Sequence, residues 1–264
     1  MRHPILWMAG AAGIIAASAQ SQTDANRLAF EVASVRPGTP GAIIDLPRPM
    51  PGGQSYSASN SPLMIMVMRT YRITDSQVLG APSWMFFDPW NVSAKAEHPS
   101  TPEQLQEMFQ TLLAHRFKLR FHRETKEIAA YVLSVEKSGS KLKVSESKDP
   151  FDVPIKAGDR RSVLVGTRVS MPDLCWRLSN SLNAPVVDKT GLAGFYDFTL
   201  DRSLPTPSPQ AQEIPGPAAS ALNGPESSAD LINAVRDQLG LKLEYRKAPV
   251  EVFVIDHVER PTDN

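Results

Sequence analysis

The sequence predicts an α+β fold built of two tandem, diverged modules, each with two helices packed on a small mixed sheet. Three observations point to it. Apolar residues switch repeatedly between every-second-residue alternation, the mark of a strand, and three-to-four-residue spacing, the mark of a helix. Two helices open on a proline, near Pro62 and Pro172. Two alternating strings line up: Phe117-Lys118-Leu119-Arg120-Phe121-His122-Arg123 with Leu241-Lys242-Leu243-Glu244-Tyr245-Arg246-Lys247.

In module one, Phe30 to Val35 alternates and reads as a strand, and Arg36 to Gly53, rich in Pro and Gly, reads as a loop. Ser55 to Ala58 is a short strand. A helix follows from Pro62 to Tyr71, with Ser61 as its cap. Its Met64-Ile65-Met66-Val67-Met68 run is apolar all round, which suits burial on more than one side. Val78 to Trp84 is an extended piece ending in a turn, and Trp90 to Ala96 is a strand. The next helix opens at Thr101-Pro102-Glu103-Gln104, capped by Ser100 or Thr101, with Leu105, Met108, Phe109, Leu112 and Leu113 on one face. Phe117 to His122 and Ile128 to Val135 then read as two paired strands closing the module.

Module two repeats the order. Val163 to Val165 is a strand, and a helix opens at Ser170-Met171-Pro172-Asp173 with Leu174, Leu178 and Leu182 in register. Val186-Val187 is extended, Asp188 to Gly191 is a turn, and Phe195 to Leu200 is a strand. Ser228 to Leu239 is a helix with Leu231, Ile232, Val235 and Leu239 inward. Leu241 to Arg246 and Val250 to Ile255 read as a terminal hairpin. The boundaries are a leader at 1–19, module one at 20–137, a Lys/Ser/Asp-rich linker at 138–160 and module two at 161–264. Residues 202–227, dense in Pro, Ser and Ala, read as a flexible insertion in module two.

The composition narrows the class of function. Lys+Arg and Asp+Glu are both 28, so no basic excess draws nucleic acid. Ile5 to Ala17 forms an apolar stretch behind Arg2 and His3, and Ala17-Ser18-Ala19 is a cleavage site, so an exported chain starting at Gln20 is expected. The stretch is too short for a membrane anchor, and no stable membrane insertion is expected once it is removed. Cys175 is the single cysteine, so no internal disulfide forms; its helical setting suits a small buried apolar residue.

No motif carries a reaction, and neither catalytic nor metal-ligating residues nor a cofactor are assigned. Asp188-Lys189-Thr190-Gly191 resembles the phosphorylated turn of P-type ATPases, but Leu192 follows where that motif has Thr, and Asp and Gly are ordinary turn formers. His115, His122, Glu124 and Glu127 match no zinc spacing. The candidate binding residues are Trp84, Phe86, Phe87 and Trp90, an aromatic cluster around Asp88-Pro89 that must partly enter the core and can leave an apolar patch outside.

Phe30-Glu31-Val32-Ala33-Ser34-Val35-Arg36-Pro37, His115 to Leu119, His122 to Glu127, Val186 to Leu192 and Ala248 to Val252 together resemble one family. It is an exported domain-of-unknown-function family expanded in soil Acidobacteria, domain of unknown function 3738. The resemblance covers nearly all of the chain after the leader and implies no known activity. Some members carry the domain behind a membrane metallopeptidase of the antibiotic-sensor type; this chain has no His-Glu-x-x-His motif. The element order of each module is also similar to the short N-terminal domains of secretins and TonB-dependent receptors, with Leu239-Gly240-Leu241 as the matching helix exit. Together these imply a non-catalytic periplasmic binding or interaction module for an envelope protein or peptide. The alternatives are an envelope hydrolase using His115, His122 or Asp188, and an accessory or sensor domain for an envelope peptidase.

Overall fold

A computed structural model of the chain describes residues 28–148, 155–158, 162–203 and 228–262. The leader and nearly all of the Pro/Ser-rich insertion lie outside the described residues. The fold is mixed α+β. Its elements are β1 (Val32–Pro37), β2 (Asp45–Pro49), β3 (Ser55–Pro62), α1 (Leu63–Tyr71), β4 (Val78–Leu79), α2 (Trp84–Phe87), β5 (Pro89–Lys95), α3 (Pro102–Arg116) and β6 (Arg120–Val135). Then come β7 (Lys143–Val144), β8 (Ile155–Ala157), β9 (Val163–Ser170), α4 (Met171–Leu182), β10 (Val186–Asp188), β11 (Phe195–Asp201), α5 (Ser228–Leu239) and β12 (Leu241–His257).

Among the described residues the strands form three four-stranded sheets. The first has the order β1-β5-β3-β2 and the third β7-β11-β9-β8, and every pair in both is antiparallel. In each, the strand that feeds a helix, β3 or β9, lies beside the next strand of its own sheet, β5 or β11, and the short strand between them in the chain, β4 or β10, goes to the middle sheet. The middle sheet, β10-β6-β12-β4, has antiparallel β6 and β12 inside and short parallel strands at both edges.

The hairpins expected at the end of each half do not form. β6 is one strand of 16 residues and β12 one of 17, and they pair with each other, Leu133 opposite Leu243 and Phe121 opposite Ile255. The charged stretch Arg123 to Glu127, left between the two expected strands, contains no Gly or Pro and, with His122, is the exposed middle of a ribbon joining two cores. Pro249 fits inside β12 because β4 pairs only at Phe253 and Val254 and β10 pairs with β6 only at Tyr131 to Leu133. At Pro249 the sheet is therefore two strands wide, and the absent N–H can face the open side.

Each long strand consequently serves both cores. Core one holds Leu63, Met66, Val67, Leu105, Phe109, Leu113 and Phe117, together with Phe253 from β12. The Tyr56 ring stacks on Phe109 at 4.4 Å. Core two holds Leu174, Leu178, Leu182, Val235, Leu239 and Leu241, together with Tyr131 and Leu133 from β6. A small cluster of Ala130, Val132, Ala248 and Val250 lies on the ribbon itself. All five residues read onto the inner face of α3 are buried. Leu243, which the aligned strings place level with Leu119 and which the alignment therefore leads one to expect buried, packs against core two but is only half-buried, whereas Leu119 is buried.

Other differences have local causes. The Arg36–Gly53 loop contains β2, an outer strand, where Pro47 and Pro49 are tolerated because one strand side needs no donor. The linker supplies β7 and β8, the two outer strands of the third sheet. Ser61 does not cap α1: the cap position falls on Pro62, and the buried Ser61 Oγ has no hydrogen-bond partner. Thr101 and Ser170 do cap α3 and α4, each accepting from the amide three residues on. No helix among the described residues is long and apolar enough to cross a membrane.

Candidate binding surfaces

The aromatic cluster is divided by α2, a single helical turn. The Met85 and Phe86 amides donate to the Pro82 and Ser83 carbonyls and the following Asp88 amide to the Trp84 carbonyl, which fixes successive side chains on different sides. Met85 is fully buried in core one. Trp90, on β5 opposite Ser61, is 5% exposed and packs edge-on to Phe117 at 5.5 Å, so it offers no outer surface. Trp84 is half-buried under the Arg260 guanidinium, 5.0 Å from its ring, and Arg260 also pairs with Asp88 at 2.8 Å. Phe86 and Phe87 face outward, 41% and 77% exposed, with ring centroids 6.3 Å apart. Of the four candidate residues, these two form the accessible apolar patch.

A second surface was not legible from the sequence. β1 is an outer strand of the first sheet, and the C-terminal end of α3 approaches the start of it, where Arg116 reaches Ala33. Between them lies an open groove of about 600 Å³. Phe30, Met108 and Leu112 give it an apolar floor, with Glu31, His115 and Arg116 at its sides. Arg116 bridges the two walls by donating to the Ala33 carbonyl at 2.9 Å. Nothing in the sequence brings Phe30 and Met108 together, since their proximity depends on how α3 docks on the first sheet.

A family model described as "Protein of unknown function (DUF3738)" matches residues 64–258, most of the chain. The chain belongs to the DUF3738 family. No curated protein and no solved structure matches it.

In this DUF3738 protein His122, Glu124 and Asp256 are held by one another on the two long strands. His122 on β6 contacts Asp256 on β12 through Nδ1 at 2.8 Å and Glu124 through Nε2 at 3.1 Å. Glu124 also pairs with Lys126 at 3.1 Å. His115 belongs to the distant α3 groove, and Glu127 faces Pro249 across the ribbon. Among the described residues no group of three or more His, Cys, Asp or Glu side chains is arranged to hold a metal ion. The Glu124 hydrogen bond, followed by the Asp256 one, raises the His122 pKa above its ordinary value. Protonated His122 therefore ties β6 to β12. That stabilisation is complete below the ordinary histidine value of about 6.5 and is lost as pH rises through the higher folded value. In an NMR titration His122 should titrate above an exposed reference histidine, and Asp256→Asn should bring it down; an unchanged midpoint in that variant would refute the coupling.

Asp188 accepts from the Thr190 amide at 2.8 Å and the Thr190 hydroxyl at 2.7 Å, closing its turn. Cys175 lies on the buried face of α4. Burial, and secondarily the Asp188 charge, pushes its thiol up to about 12. The protein should accordingly react with a thiol reagent at pH 8 only after unfolding. Stoichiometric labelling of the native protein within minutes would contradict this placement.

Proposed function

We propose that this DUF3738 protein is an exported, non-catalytic interaction module that holds an envelope protein or peptide in the groove between β1 and α3. The observation that carries the reading is the pairing of an outer strand with an open, apolar-floored groove of about 600 Å³ alongside it. An outer strand offers main-chain partners to an extended segment, and a flanking groove takes alternate side chains of that segment. Arg116, His115 and Glu31 at the groove sides supply polar contacts that fix orientation. The Ala17-Ser18-Ala19 site supports export. The Phe86–Phe87 patch is a second, smaller apolar surface.

A photo-crosslinking amino acid tests this directly. Placed at Thr111 in the groove and, as a control, at exposed Asn180 on α4, it should give a discrete adduct with an envelope component only from Thr111. Equal adducts from both positions, or none, would remove the groove from consideration. Release of soluble fragments from purified envelope by the protein would favour the hydrolase reading instead.

A further inference from the structure

The two cores meet along a seam where α1 faces α4. Arg72, the residue that ends α1, pairs with Asp173 on the first turn of α4 at 2.9 Å. One turn away, the Arg69 guanidinium lies over the Trp176 ring at 5.2 Å. Asp173, Trp176 and Arg177 stand at i, i+3 and i+4, so they share one side of α4. Arg69 and Arg177 occupy matching places in the two halves, each seven positions past its helix N-cap, Pro62 and Ser170.

Both arginines are half-buried and lie within electrostatic reach of each other. Neither has a carboxylate partner among the described residues. Arg69 donates Nε to the Pro47 carbonyl at 3.1 Å. Arg177 Nε is enclosed and has no hydrogen-bond partner among the described residues, and the adjacent Trp176 Nε1 is in the same condition. The acidic groups on the same elements are committed elsewhere. Asp173 is taken by Arg72 and the Ser170 hydroxyl, and Asp45 by Arg48. Burial lowers the pKa of both arginines; the Arg177 charge adds to this at Arg69, and the Arg202 charge does so at Arg177.

Enclosed donors without acceptors are rare in folded proteins, and two half-buried guanidinium groups within electrostatic reach of each other are only partly screened by water and repel. A water molecule would accept a hydrogen bond but leave the repulsion. An oxyanion does both jobs, because planar guanidinium groups bind phosphate and carboxylate through paired, charge-assisted hydrogen bonds. We propose that the α1–α4 seam is a binding site for a small oxyanion, a phosphate or carboxylate group held between Arg69 and Arg177, with Trp176 as the ring against which Arg69 is set. This site is separate from the β1–α3 groove and stands whether or not the groove holds a peptide.

The test is a titration of the full mature protein with sodium phosphate, sodium acetate and sodium chloride at matched ionic strength. The indole N–H resonance of Trp176, identified by its loss in Trp176→Phe, is followed together with the melting temperature. A saturable resonance shift and a raised melting temperature are expected with phosphate, acetate or both, and not with chloride. The relative strengths separate a phosphate ligand from a carboxylate one. Arg177→Gln should weaken the anion at least about tenfold, the loss expected for charge-assisted hydrogen bonds, and Arg69→Gln should do the same. Absence of a saturable shift with either anion in the wild-type protein overturns the proposal, as does an unchanged affinity in a folded Arg177→Gln variant. The wild-type titration decides the matter if the variants do not fold.

Discussion

Phe253→Ala is expected to destabilise the protein by about 3–5 kcal/mol, the cost of removing a buried phenyl ring and leaving a cavity. The loss falls on core one, although Phe253 comes from the last strand of the chain. Its ring is buried against Tyr71 at 5.5 Å and Phe121 at 4.7 Å, with the Arg123 guanidinium 4.9 Å away. Tyr71 and Phe121 lie on α1 and β6, so the contact ties the end of the chain to its first half. Urea unfolding followed by tryptophan emission measures the effect, because Trp84 and Trp90 sit in or against core one. A change under about 1 kcal/mol would mean that core one closes without β12. The same argument applies to a fragment. Residues 28–137 alone lack Phe253 and Ile255 for core one and leave Tyr131 and Leu133 without core two. Such a fragment is expected to show no cooperative melt, and a sharp melt with a dispersed NMR spectrum would refute the strand exchange.

The four longer helices α1, α3, α4 and α5 were legible because each announces itself locally, whereas the single turn α2 was not. Thr101-Pro102-Glu103-Gln104 carries a hydroxyl cap, a proline and a glutamine that returns a hydrogen bond to the cap, and the helix starts there. The spacing of Leu174, Leu178 and Leu182 depends only on helical geometry, and all three are buried. Strand partners were not legible in the same way. Alternation says that Phe121 and Tyr131 belong to strands, but not which strand lies opposite. Two alternating strings close in sequence suggested a hairpin, yet the stretch between them has no residue able to turn. The absence of Gly and Pro from His122 to Glu127 was the local sign of one continuous strand. β2, β7 and β8 escaped notice because outer strands bury little and need no apolar alternation.

The candidate surfaces divide along the same line. An apolar turn that must be partly outside was readable at Trp84 to Trp90, but the sorting of its side chains depends on α2 and on the pairing of Trp90 opposite Ser61. The β1–α3 groove and the Arg69–Arg177 seam join residues far apart in the chain. Matching positions in α1 and α4 were the single sequence sign of the seam, since both helices carry an arginine seven residues after their N-caps. That sign takes on meaning only when the two helices face each other.

Gly240→Ala is expected to cost about 2–5 kcal/mol, far more than alanine at another left-handed glycine. Gly240 sits at the exit of α5, with φ +65°, where its amide bonds to the Arg236 carbonyl at 3.1 Å and the chain turns directly into β12. A residue with a side chain pays about 1–2 kcal/mol for that backbone region alone. The space is also filled. The turn after β6 folds over this point, with Glu136 donating to the Gly240 carbonyl and Lys141 to the Leu239 carbonyl, both at 2.9 Å. A Cβ on Gly240 would overlap the Gly139 carbonyl and stand 2.9 Å from the Lys141 amide, and backbone cannot swing aside as a side chain can. Forcing it apart adds about 1–3 kcal/mol. Gly191 provides the comparison: it has φ +68° and nothing within 4 Å of an added Cβ, so Gly191→Ala should show the conformational cost alone. Urea midpoints of the two variants separate the terms. If Gly240→Ala and Gly191→Ala lose the same stability, the close approach of the Glu136–Lys141 turn carries no energy, and β12 is not held in register by this contact where it leaves core two.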